Sequence, residues 1–160
     1  MLTKHLLPVL VAFCIFSRCT QNVQPPSFYQ FENRGHDVLR LPLVEPYDLI
    51  TAYCCQGWNF SGGSRIGKDF GLGLAVDSAN ILPRHIVLWS PDNGGAWFSL
   101  NRLDKSAREF SQRAELNAYL SEYDTVPLYS SEAIYRGWKS TGQLPWAKLI
   151  LFPPAAASVP

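Results

Sequence analysis

The chain has 160 residues, of which 47 % are apolar, 13 % aromatic and 17 % charged, and its formal net charge is +1. That balance excludes wholesale disorder, because there is enough apolar surface to offset chain entropy, and it excludes a strong electrostatic pull toward nucleic acid. The 11 glycines and 12 prolines follow no repeat, which excludes collagen and coiled coil, and the length suits one domain rather than a two-domain enzyme.

The first segment reads as an address. Lys4 and His5 precede an unbroken apolar run at 6–16 (LLPVLVAFCIF), followed by Ser17, Arg18, Cys19, Thr20 and Gln21. A basic start, an apolar stretch and a small-residue exit predict a secretory signal over 1–19. The run is shorter than the roughly 20 residues a membrane-spanning helix needs, and a core helix would interrupt it with polar residues. Phe16-Ser17-Arg18-Cys19 has the order of a lipobox, in which the Cys receives lipid, although Arg18 replaces the usual small residue. Two exits follow: lipid attachment at Cys19, which is favoured, and ordinary cleavage after it. Residues 20–27 then form a tether. Without residues 1–18 the basic count falls from 14 to 12 against 13 acids, a net charge near −1. Membrane contact is therefore expected only through an anchor, at the cell envelope or in the periplasm, and nucleic acid is not expected as a partner.

The domain spans 28–152. Val38, Leu39, Leu41, Leu43 and Val44, interrupted by Pro42 and closed by Pro46, predict an extended edge segment. Residues 49–58 (LITAYCCQGW) predict a strand, and glycine-rich 59–73 a loop or irregular hairpin. A strand over 81–90, a turn at 91–95 and a strand over 96–103 make a hairpin. Residues 104–106 turn again into a third strand at 107–110. Ser111 suits a helix N-cap, and Leu116, Tyr119, Leu120 and Tyr123 share one helical face. A shorter helix is predicted over 130–139, stopped by Gly142, with Ile134 and Trp138 on one side. Trp146 and 149–152 would dock on the core, and 153–160 is an Ala/Pro tail. The expected fold class is α+β, a small antiparallel β-meander packed by one or two helices.

The leader, Phe16-Ser17-Arg18-Cys19, the segment 40–58 and the hairpin with its capped helix together resemble small uncharacterised lipoproteins of Bacteroidota-type bacteria. The resemblance covers most of the chain, contains no diagnostic motif and implies no activity.

Several motifs tempt and fail. Gly62 to Asp69 spells a phosphate-binding loop, but Asp69 stands where a magnesium-ligating hydroxyl is required and no helix-forming segment follows. Asp69-Phe70-Gly71 matches a kinase metal motif without its accompanying loops. Gly71-Leu72-Gly73 begins a dinucleotide fingerprint in which Val76 occupies the third glycine position. Asn59-Phe60-Ser61 is a glycosylation sequon, relevant only to eukaryotic secretion. His36, His85, Cys54 and Cys55 lack ligand spacing, so neither metal nor cofactor is expected. Adjacent Cys54 and Cys55 would bridge each other only through a strained ring and read as thiols.

The remaining signal is aromatic. Tryptophan and tyrosine anchor many binding surfaces. Trp58, Trp97 and Phe98, with Asn101 and Arg102 supplying polar contacts, form the candidate binding face beside the glycine-rich loop. The expected function is an exported, non-catalytic accessory or inhibitor-like module binding a protein or other envelope ligand. Two alternatives stand beside it: a small envelope hydrolase using His36 or His85, and a purely structural lipoprotein.

Overall fold

Alternation of apolar and polar residues along successive short segments builds two antiparallel sheets, and one residue joins them. The computed structural model describes residues 27–29, 38–52, 57–61, 73–124 and 126–151. Cys19 and the rest of the leader, His36, Cys54, Cys55, residues 62–72 of the glycine-rich stretch and the tail at 153–160 lie outside the described residues.

The first sheet holds β1 (Val38–Val44), β2 (Tyr47–Ala52), β3 (Trp58–Ser61) and β4 (Ala75–Val76), in that spatial order. Pro42 is tolerated because β1 lies at the sheet edge, where a missing N–H breaks no ladder. The second sheet holds β5 (Ser78–Ile81), β6 (His85–Ser90), β7 (Ala96–Asn101), β8 (Ala107–Phe110) and β9 (Tyr129–Ser130), ordered β8-β7-β6-β5-β9. Three helices follow: α1 (Arg113–Tyr119), α2 (Ser131–Thr141) and α3 (Ala147–Leu151). The fold is α+β and mostly β. Among the described residues no helix is long and apolar enough to cross a membrane.

Several boundaries differ from the sequence reading. The segment 49–58 is not one strand: β2 ends at Ala52 and Trp58 opens β3, which pairs back with Ile50 opposite Asn59. The run at 81–90 is also divided. Pro83 ends β5, and Leu82 N–H donates to His85 O at 2.8 Å, closing a turn before β6. The α1 cap is Gln112 rather than Ser111, and the Glu115 carboxylate accepts from Gln112 N–H at 3.3 Å. Two four- and five-stranded sheets stand where one small meander was expected.

The main core lies between the sheets. Leu41, Leu43, Leu49 and Phe60 from the first sheet meet Ile86, Leu88, Phe98 and Leu100 from the second, with Ile134, Tyr135 and Trp138 of α2 joining them. Each fully buried side chain of this kind contributes about 1.5–3 kcal/mol of transfer free energy. Gly142, at φ 70°, ends α2 in the left-handed conformation that glycine adopts without strain. Leu144 and Trp146 then fold back onto the same core.

The outer face of the second sheet carries a smaller cluster, with Leu82 and Val87 beneath Leu116 and Leu120. β6 is therefore buried on both faces, which explains its near-continuous apolar sequence.

Candidate functional site

The inter-sheet space has two unlike ends. At one end a small cleft of about 140 Å³ lies between Val44 and Tyr47 of the first sheet and Pro83, Arg102 and Lys105 of the second. Arg102 Nη1 donates to Pro83 O at 2.8 Å and Leu82 O at 3.2 Å, binding the β7–β8 turn to the β5–β6 turn. Burial pushes the Arg102 guanidinium below its ordinary value. Asn101 Oδ1 accepts from Leu103 N–H at 2.9 Å within the same turn. Both polar candidates are thus engaged in local structure at this end.

The other end is open. A groove of about 470 Å³ is lined by Leu39, Thr51, Trp58, Val76, Asp77 and Glu132, among others. Its volume falls in the range that ligand pockets occupy, about 300–1,000 Å³. Strand alternation explains the apolar part: Leu39, Thr51, Trp58 and Val76 occupy inward positions in register across β1, β2, β3 and β4. These inward side chains lie at the strand ends, where Trp58 and Val76 form the margin of the main core and Leu39 packs against it.

The rim comes from the joint between sheets. Asp77 is the single residue between β4 and β5, and its N–H donates to Trp89 O at 3.0 Å. Its carbonyl accepts from Ser131 N–H at 2.7 Å, while Ser131 Oγ donates to Val76 O at 3.2 Å. These bonds fix the start of α2 against the joint and bring Glu132 to the groove. Trp58 Nε1–H donates to Glu132 Oε2 at 3.4 Å, and the Trp58 ring packs 5.0 Å from Tyr135. Asp92, beyond Pro91 on the β6–β7 turn, accepts from Ala75 N–H at 3.2 Å. None of the described lining residues is basic.

The aromatic candidates therefore separate. Trp58 lines the groove. Phe98 points into the main core, and its neighbour Trp97 points to the opposite face of the sheet, as consecutive strand residues must. There Trp97 packs 4.5 Å from Trp89, with the Arg113 guanidinium 5.4 Å from its ring centre. Asp77 and Glu132 were not singled out in the sequence. Glu132 there reads as an ordinary acidic residue in a helix first turn, and Asp77 as a break in a β-forming run.

His85 sits apart from the groove, beneath α1. His85 Nδ1 and Ser99 Oγ are hydrogen-bonded at 2.9 Å, and the rings of Tyr119 and Tyr123 stand edge-on at 5.8 and 6.3 Å. Glu122 Oε1 lies 3.8 Å from Nε2, an electrostatic neighbour rather than a hydrogen-bond partner. Burial lowers the His85 pKa, and the Glu122 charge opposes that only in part. A serine beside a histidine has the elements of a nucleophile and its base. Here Ser99 is 2 % exposed and His85 6 %, so the oxygen meets no solvent in this conformation.

Among the described residues no group of three or more His, Cys, Asp or Glu side chains is placed to hold a metal ion. No family model, no curated protein and no solved structure matches the chain.

Proposed function

We propose that this chain is an exported domain that binds a partner at the cell envelope, held there by lipid on Cys19 or released by cleavage after it. The open groove between the sheets carries this reading. It offers an apolar floor with a polar rim, the usual composition of a recognition site. In this reading the scaffold is the antiparallel β-meander at 78–110, packed by α1 on one face and by α2 on the other. The binding surface moves from the whole aromatic set to the groove around Trp58, because Trp97, Phe98, Asn101 and Arg102 point elsewhere. The burial of Ser99 favours binding over the hydrolase alternative.

Two measurements test this. Intact mass of the mature protein distinguishes lipid on Cys19, cleavage after Cys19 and an uncleaved chain; an uncleaved chain overturns the exported part. Capture from envelope extracts should recover a partner that is lost with Thr51→Trp, whose indole would fill the groove from β2. Recovery unchanged by that substitution overturns the groove.

A further inference from the structure

The groove has a charge pattern as well as a shape. Asp77 and Glu132 both line it, and no lysine, arginine or histidine among the described residues does. Arg136 is the nearest compensation for Glu132, and it binds the other oxygen, Nε to Oε1 at 2.7 Å. That pair is on the surface, with the Arg136 side chain 77 % exposed, where such pairs are weak and screened. Glu132 Oε2 faces the Trp58 indole and the groove. The Asp77 carboxylate accepts from the Ser78 hydroxyl at 2.6 Å, and among the described residues no ion pair forms with it. Behind this acidic rim stand Leu39, Ala52, Trp58 and Val76.

An occupant matching both features needs an apolar stem and a positive end. A lysine side chain has four methylenes that pack on apolar surface while the ammonium reaches a polar rim. Resting on the reading of the groove as a partner site, we propose that the partner is a protein that inserts a lysine side chain here, its stem along Trp58 and Val76 and its ammonium between Asp77 and Glu132. A neutral apolar residue would leave Asp77 without a new counter-charge and Glu132 with only its exposed Arg136 partner, and an acidic one would be repelled. The low-dielectric wall strengthens the attraction relative to bulk water, and added salt weakens it.

The test uses the purified protein and three probes: Nα-acetyl-lysine N-methylamide, its norleucine counterpart and n-hexylammonium. The Trp58 indole N–H resonance reports occupancy by NMR. We expect it to move with the lysine probe and to respond at least tenfold more weakly to norleucine. Asp77→Asn combined with Glu132→Gln should reduce lysine binding to the norleucine level, with an unchanged circular-dichroism spectrum and unfolding midpoint of that variant showing an intact fold. Equal binding of lysine and norleucine overturns the cation requirement while leaving the groove as a binding site. Tighter binding of n-hexylammonium than of the lysine probe overturns the choice of a protein side chain in favour of a free amine. No response to any probe overturns the lysine proposal, whereas the groove reading stands or falls with the capture experiment on Thr51→Trp.

Discussion

The two faces of the second sheet bury side chains by different means. On the inner face, Ile86, Leu88, Phe98 and Leu100 meet another sheet and α2, and the contact is largely apolar. On the outer face the same strands present His85, Val87, Ser99 and Trp97 to the seven-residue α1. A short helix covers little area, and so short a helix is marginal without tertiary contacts. The inner face therefore holds the fold mainly by area, while the outer face adds specific polar and ring contacts to a smaller apolar cluster. Directional contacts weigh more on the outer side than on the inner.

The largest effect should come from the inner face. Leu88→Ala removes a fully buried side chain and should cost about 2–5 kcal/mol in urea unfolding. A cost no larger than that of a polar change on the outer face would erase the distinction between the faces. Next comes Ser99→Ala, which leaves buried His85 without its Nδ1 partner and should cost about 1–3 kcal/mol. Gly95→Ala should cost a similar or smaller amount, about 1–3 kcal/mol. Gly95 has φ +94°, and an added Cβ would strike the Trp89 ring, so a circular-dichroism change at the Trp89–Trp97 pair should accompany the loss. At the small end, Arg136→Ala breaks an exposed helix pair and should change stability by about 0.3–0.5 kcal/mol.

Acidity separates the faces in another way. Burial holds the His85 pKa below its ordinary value of 6.5. Between that lowered value and 6.5 the unfolded chain binds more protons than the folded one, so stability rises with pH across this window. Conversely, stability is lost as pH falls from about 6.5 through the folded-state value. Unfolding midpoints measured from pH 7.5 downward should show this slope, and His85→Gln should flatten it. A slope that survives the substitution would place the titration elsewhere.

Local chemistry made part of this architecture legible. The β6–β7 hairpin announced itself through a β-branched and aromatic run, an Asn- and Gly-rich turn and a second such run. α2 showed its buried stripe at Ile134 and Trp138 and its stop at Gly142. Other features depend on tertiary partners. The apolar run at 81–90 looks continuous because β6 is buried on both faces, which hides the Pro83 turn. Trp58 adjoins the preceding β-forming run, yet its strand turns back to pair with that run. The groove draws its lining from β1, β2, β3, the joint at Asp77 and the start of α2, and no local window contains those residues together. Of the five aromatic and polar binding candidates, only Trp58 lines it, because register decides which face a strand residue meets.

The joint at Asp77 also bears on how the molecule comes apart. One residue gives no slack between β4 and β5, and each sheet supplies only half of the shared apolar layer. A chain cut at this position would yield two pieces, each exposing a hydrophobic face that it cannot cover. The two sheets should therefore lose order in one cooperative step, and an intermediate retaining a single sheet should be short-lived and prone to aggregate.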